Sequence, residues 1–213
     1  MNSLQRLEEF RVVPVVVLDD LGHADALADA LVHGGLACAE VTLRTDASLD
    51  VIATMSRRGD MVVGAGTVVT IEQVDRAIEA GAHFLVSPGF DRDVVEHAQS
   101  AGVPFLPGVA TASEVLAALS AGLDHVKFFP AIPAGGLSVL SALHGPFASV
   151  RFMPTGGVTL ATLNDFLTHP AVFAVGGSWM VSKACLGAGD FATVERVTRE
   201  TVEQIQSLPS RSE

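Results

Sequence analysis

Tyrosine is absent from the sequence and lysine nearly so: Lys127 and Lys183 stand alone against eleven arginines. Without tyrosine, acid–base chemistry falls to carboxylates, histidines, lysine or bound water. Cysteine is scarce too. Cys38 and Cys185 are far apart and unaccompanied, which suggests neither a disulfide framework nor a zinc site and leaves both as small buried hydrophobes. No run approaches the roughly 18 uninterrupted apolar residues of a membrane span. The stretch Met1-Asn2-Ser3-Leu4-Gln5-Arg6 lacks a signal-peptide core, so a cytoplasmic protein is expected. Positive charge is outnumbered. A net charge of −11 and a pI near 4.9 argue against nucleic acid or an anionic membrane as partner. A small anionic substrate stays open, because local groups can outweigh the global field.

What is present is apolar: 49% of the residues are hydrophobic and 17% charged, enough for one large core. Residues 3–10 read as an amphipathic helix. Residues 12–18 form a β-branched run too short for a helix and apolar on both faces, as a buried parallel strand requires. A helical stretch over 20–33 follows, stopped by Gly34-Gly35. The same unit then recurs. Strands over 37–43, 61–65, 84–87, 103–106, 125–129, 151–153 and 172–175 precede helices over 48–58, 71–80, 91–100, 113–121, 137–143, 160–167 and a C-terminal helical region. Gly81 and Gly102 stand where helices end. Eight such units match an α/β fold, a (β/α)8 TIM barrel with an N-terminal helix, spanning residues 1–213 as a single domain. An open doubly wound sheet is the alternative. Its Gly-x-Gly-x-x-Gly fingerprint is missing after the first strand, where Leu18-Asp19-Asp20-Leu21-Gly22 stands. No linker divides the chain, and disorder is expected only over 209–213.

In His125-Val126-Lys127-Phe128-Phe129-Pro130 a charged amine interrupts an apolar strand. Alternation places Lys127 and Phe129 on one face, Val126 and Phe128 on the other. A buried lysine is costly unless paired, neutralised or used. Either it snorkels to solvent from the strand end, or desolvation favours its neutral, nucleophilic form. In Glu40-Val41-Thr42-Leu43-Arg44-Thr45, alternation sends Glu40, Thr42 and Arg44 toward the barrel interior. Glu40 is a candidate acid–base beside Lys127, and Arg44 a bidentate carboxylate clamp. The competing reading is a structural Glu–Lys ion pair.

The C-terminal ends of barrel strands carry the active face. There Gly64-Ala65-Gly66 and its neighbours let backbone approach a ligand, Thr67 offers a hydroxyl to a substrate oxygen, and Pro88 shapes a turn. Thr111 or Ser113 caps the helix that follows, with Glu114 in its first turn. Gly156, Gly157, Gly177 and Ser178 follow the last two strands, where such barrels hold phosphate on free backbone N–H groups; the same glycines also serve ordinary turns. The seven histidines form no His-x-x-x-His or His–carboxylate metal pattern. His125, nearer the barrel base, reads as a satisfied core residue.

Taken together, Glu40 to Thr45, Gly64-Ala65-Gly66-Thr67-Val68, Ser87-Pro88-Gly89, Lys127-Phe128-Phe129-Pro130-Ala131, Pro154-Thr155-Gly156-Gly157 and Gly176-Gly177-Ser178-Trp179 resemble one family. It is the 2-keto-3-deoxy-6-phosphogluconate (KDPG) aldolase family, which also cleaves 4-hydroxy-2-oxoglutarate (KHG). The resemblance runs in order from Val13 almost to the end of the barrel. It implies a metal-free class I lyase on a (β/α)8 barrel, with no cofactor beyond a covalent imine on Lys127. A homotrimer and a place in Entner–Doudoroff sugar-acid breakdown are implied in the same way. By resemblance Lys127 is the Schiff-base lysine and Glu40 the general acid–base. Arg44 and Thr67 match the pyruvate-carboxylate side, Pro88 and Phe129 the pocket wall, and Thr155 a further substrate contact. Gly156, Gly157, Gly177 and Ser178 match the phosphate end. KDPG would yield pyruvate and glyceraldehyde 3-phosphate, and KHG pyruvate and glyoxylate. The loop Ala131-Ile132-Pro133-Ala134 is less polar than the family pattern. Alternatives are the galactonate-derived epimer as main substrate, a metal-dependent pyruvate aldolase, and a catalytically silent phosphate-binding barrel.

Overall fold

A computed structural model describes residues 2–209, so the tail expected to be disordered lies, past Pro209, outside the described residues. Strands β1 (Val12–Val16), β2 (Cys38–Thr42), β3 (Val62–Gly66), β4 (Phe84–Val86) and β5 (Phe105–Leu106) pair in parallel and in chain order. Pro107 has no N–H to give to a ladder. It splits the next barrel strand from its first half, so β6 (Gly108–Val109) continues β5 and pairs with β7 (His125–Phe128). Then come β8 (Arg151–Pro154) and β9 (Val175–Gly177), joined by bridges at Phe152–Val172 and Thr155–Gly176. β9 returns to β1 with Val12 opposite Val175. Nine segments thus make eight strands of a closed barrel, and the open sheet is ruled out.

One expected strand moves. The sequence pattern puts the eighth at 172–175, whereas β9 runs Val175–Gly177 and Val172 meets β8 at an isolated bridge. Gly176-Gly177 looks like a turn in sequence, yet both glycines are buried in the strand because side chains there have no room. A Cβ on Gly176 would overlap Thr155 Oγ1, and one on Gly177 the Trp179 ring.

Side chains alternate between two cores. Facing the helices are Val12, Val16, Ala39, Val41, Val63, Leu85, Val126, Phe128 and Phe152; facing inward are Val13, Cys38, Val62, Phe84, Val86, Leu106 and Met153. The N-terminal helix α1 (Ser3–Phe10), with Asn2 and Gln5 in a capping box, adds its fully buried Leu7 to the inner set. Around the barrel run α2 (Ala24–His33), α3 (Ser48–Arg57), α4 (Ile71–Glu79), α5 (Arg92–Ser100), α6 (Ala112–Ser120), α7 (Gly136–His144) and α8 (Leu163–Leu167). The C-terminal helical region resolves into α9 (Lys183–Ala188) and α10 (Phe191–Gln206). Gly81 and Gly102 follow α4 and α5 with φ of +90° and +75°, a conformation that favours glycine. Thr111, not Ser113, caps α6, its backbone N–H donating to Glu114 Oε2 at 2.8 Å.

Cys38 is fully buried, its thiol donating to Val12 O at 3.5 Å. Burial pushes that thiol's pKa well above the usual range, against the opposing charge of Arg6. Cys185 is only partly buried. His125 is not a core residue either. It sits half-buried at the base of the barrel, Nδ1 bonded to Asp124 Oδ1 at 2.6 Å and Nε2 to Glu8 Oε1 at 3.3 Å. Its ring edge meets Phe173, and α1 brings Glu8 under the barrel beside it.

Candidate active site

β2 and β7 are four strands apart in an eight-strand ring, so inward side chains from the two meet across the interior. Lys127 Nζ lies 3.0 Å from Glu40 Oε1. The lysine is 4% exposed and the glutamate 0%. Lys127 therefore does not snorkel to solvent; it shares its surroundings with the Phe129 ring, whose centroid is 5.2 Å from Nζ. Glu40 fits only because Gly66, opposite Thr42 on β3, has no side chain: a Cβ there would overlap the Glu40 carboxylate. Gly64 in the same way makes way for the Phe84 ring. Both glycines were expected to let backbone approach a ligand, but their space is taken by side chains.

Glu40 Oε2 has no hydrogen-bond partner among the described residues. A purely structural ion pair so deeply buried would be expected to satisfy both carboxylate oxygens. One acceptor is left unspent beside the amine. Among the described residues no three His, Cys, Asp or Glu side chains gather as a metal ligand set.

β2 ends at Thr42, so alternation does not carry to Arg44. Thr42 is 1% exposed and spends its hydroxyl on Val16 O at 3.0 Å. Arg44 sits in the turn beyond, exposed, with no carboxylate in ion-pair range among the described residues. Its Nε donates to Thr67 Oγ1 at 3.3 Å. Thr67 has φ of +62°, a strained setting for a β-branched residue. An unpaired guanidinium held against a strained threonine at the mouth of the barrel suits a planar carboxylate.

Pro88 is half-buried in a tight turn in which Ser87 Oγ donates to Gly89 O and accepts from Gly89 N. Gly108 clears the Pro88 carbonyl, which a Cβ there would overlap. Phe129 links the two ends of the site: its ring stands over Lys127 on one side, and on the other would lie 3.3 Å from a Cβ at Gly156. Gly156 and Gly157 have φ of +101° and +84°, which turn the chain after β8. The amides of Gly157 and the exposed Ser178 make no backbone hydrogen bond to another described residue. Thr155, 5% exposed, reaches Met153 O at 3.4 Å. Gly177 departs from expectation, being a strand residue that accommodates Trp179 rather than a free loop glycine.

Three roles were not read from the sequence: the space Gly66 leaves for Glu40, and the hydroxyls of Thr45 and Ser48 in the turn around Arg44. Small and hydroxyl residues flanking charged ones at a strand end were the available signal.

The family model for KDPG and KHG aldolases matches residues 4–197. The chain belongs to this family. It is 46% identical to 2-dehydro-3-deoxy-phosphogluconate aldolase of Treponema pallidum (strain Nichols), over 95% of this chain and 97% of the relative. Among solved structures, KDPG aldolase of Zymomonas mobilis ZM4 with 3-phosphoglycerate superposes at a TM-score of 0.89 with 41% identity, covering 94% of this chain and 95% of that one. KDPG aldolase of Legionella pneumophila superposes at 0.91 with 36% identity, covering 94% and 98%. That structure holds pyruvate captured as a covalent carbinolamine. The family's barrel, helices outside and parallel strands within, is the fold of this chain.

Proposed function

We propose that the protein is a class I aldolase that cleaves KDPG to pyruvate and glyceraldehyde 3-phosphate and KHG to pyruvate and glyoxylate. The observation that carries it is the buried Lys127–Glu40 contact of 3.0 Å across the barrel. Lys127 attacks the C2 ketone of the 2-oxo acid to give a carbinolamine, which loses water to form a protonated imine. Glu40, through one water, takes the C4 hydroxyl proton. The C3–C4 bond then breaks, its electron pair moves into the imine to form the enamine, and the aldehyde leaves. Protonation at C3 and hydrolysis release pyruvate and regenerate the amine. Arg44 and Thr67 hold the carboxylate, Pro88, Phe129 and Thr155 wall the reacting carbons, and the amides of Gly156, Gly157 and Ser178 hold the phosphate. Gly177 supports that end through the strand it belongs to.

The gluconate-derived epimer is the main substrate on this reading, since the relatives carry its name. The enzyme works as a homotrimer in the cytoplasm, in sugar-acid breakdown, without a bound cofactor. Incubation with KDPG, its C4 epimer and KHG tests the function: pyruvate and aldehyde should appear in equal amounts, fastest from KDPG. No pyruvate from any of the three would overturn it, and a preserved rate after chelation is expected.

A further inference from the structure

The backbone ladder between β1 and β2 ends at Val16 opposite Val41, yet the seam between them continues. Thr42 Oγ1 donates to Val16 O at 3.0 Å, and Thr45 Oγ1 donates to Leu18 O at 2.7 Å. Side-chain hydroxyls carry the seam past the last paired residues. Ser48, 2% exposed, fastens the other side of the turn: its hydroxyl donates to Thr42 O at 2.8 Å and accepts from Thr45 N at 3.2 Å. Neither hydroxyl serves α3, whose N-cap residue, Ala47, makes no side-chain cap bond. What lies between the two anchors is Arg44, whose own amide donates to Thr42 O at 2.8 Å.

An exposed arginine on a loose turn loses rotamer and backbone freedom when it binds. Anchored on both sides, its backbone is fixed beforehand, and only the guanidinium, already against Thr67, has to engage. We propose that Thr45 is a positioning residue for recognition of the 2-oxo acid carboxylate, its bond to Leu18 O holding the turn that presents Arg44. This rests on the reading of Arg44 as the carboxylate clamp. The hydroxyl is the working part. Valine keeps the shape but removes the donor and strips Leu18 O of its hydroxyl partner, whereas serine keeps the bond.

Trapping of pyruvate by borohydride, followed against pyruvate concentration, gives a half-saturating concentration and a limiting rate. These would be measured for wild type, T45V, T45S, R44Q and R44Q/T45V. T45V should raise the half-saturating concentration about five- to tenfold, as loss of one well-placed hydrogen bond does, with the limiting rate within about twofold. T45S should stay near wild type. In the R44Q background T45V should add less than about twofold, since residues acting as a unit are not additive. An unchanged T45V beside an impaired R44Q, or an equal factor in both backgrounds, overturns the role of Thr45 alone. If R44Q itself is unimpaired, the carboxylate reading falls, and the role of Thr45 with it. Should T45V not fold, T45A carries the same comparison.

Discussion

β7 carries two polar inward residues, His125 at the base and Lys127 two positions on, and their surroundings differ. At the base both ring nitrogens of His125 are bonded, to Asp124 and Glu8, and the side chain keeps 21% exposure. At the lysine level both members of the pair are buried, and Glu40 Oε2 has no partner among the described residues. Satisfied polar groups near solvent close a barrel floor; a buried acceptor left over beside an amine is what proton transfer needs. The same strand serves structure at one end and chemistry at the other.

The widest gap between the two ends should come from Lys127→Ala. Turnover and covalent trapping should both fall by at least about a thousandfold, while thermal or urea unfolding should reveal a loss of about 3–5 kcal/mol from the stranded Glu40. Glu40→Gln should still form the pyruvate adduct but turn over about 100- to 10,000-fold more slowly, a split visible when trapping and cleavage are assayed side by side. Gly66→Ala pushes on the Glu40 carboxylate, so cleavage should drop about 100-fold; a G66A enzyme with normal rates would mean the carboxylate need not sit where it does. His125→Ala, by contrast, should leave cleavage within about twofold and lower stability by about 1 kcal/mol.

The smallest effect belongs to the α6 cap. Thr111→Ala should cost about 1 kcal/mol in a denaturant titration. Burial opposes the Glu114 charge, but bonds from the Ala110 and Thr111 amides and the Thr111 hydroxyl outweigh it and hold its pKa below the ordinary value. A depressed carboxylate stabilises fully above its unfolded value, about 4.3, and loses that contribution as pH falls through the folded value. The stability gap between wild type and Glu114→Gln should therefore be open at pH 7 and narrow below about pH 4.

Much of this is legible in the sequence alone. Alternation put Glu40 and Lys127 inside, because both lie within regular strands where a period of two holds. It failed at Arg44, which lies past the end of β2, and at Gly176-Gly177, where buried strand glycines looked like a turn. Pairing across the barrel is not written in local pattern. That is why the overlap between a Gly66 side chain and Glu40, residues far apart in sequence, was invisible, as was the bond from Thr45 to Leu18.

The most direct measurement uses the scarcity of lysine. Incubate the protein with pyruvate, reduce with borohydride, digest, and locate the adduct by mass spectrometry. Lys183, exposed at the start of α9, is the built-in control. An adduct on Lys127 and none on Lys183 is the expected result. No adduct, or one on Lys183 alone, would contradict a Schiff-base mechanism at the centre of the barrel.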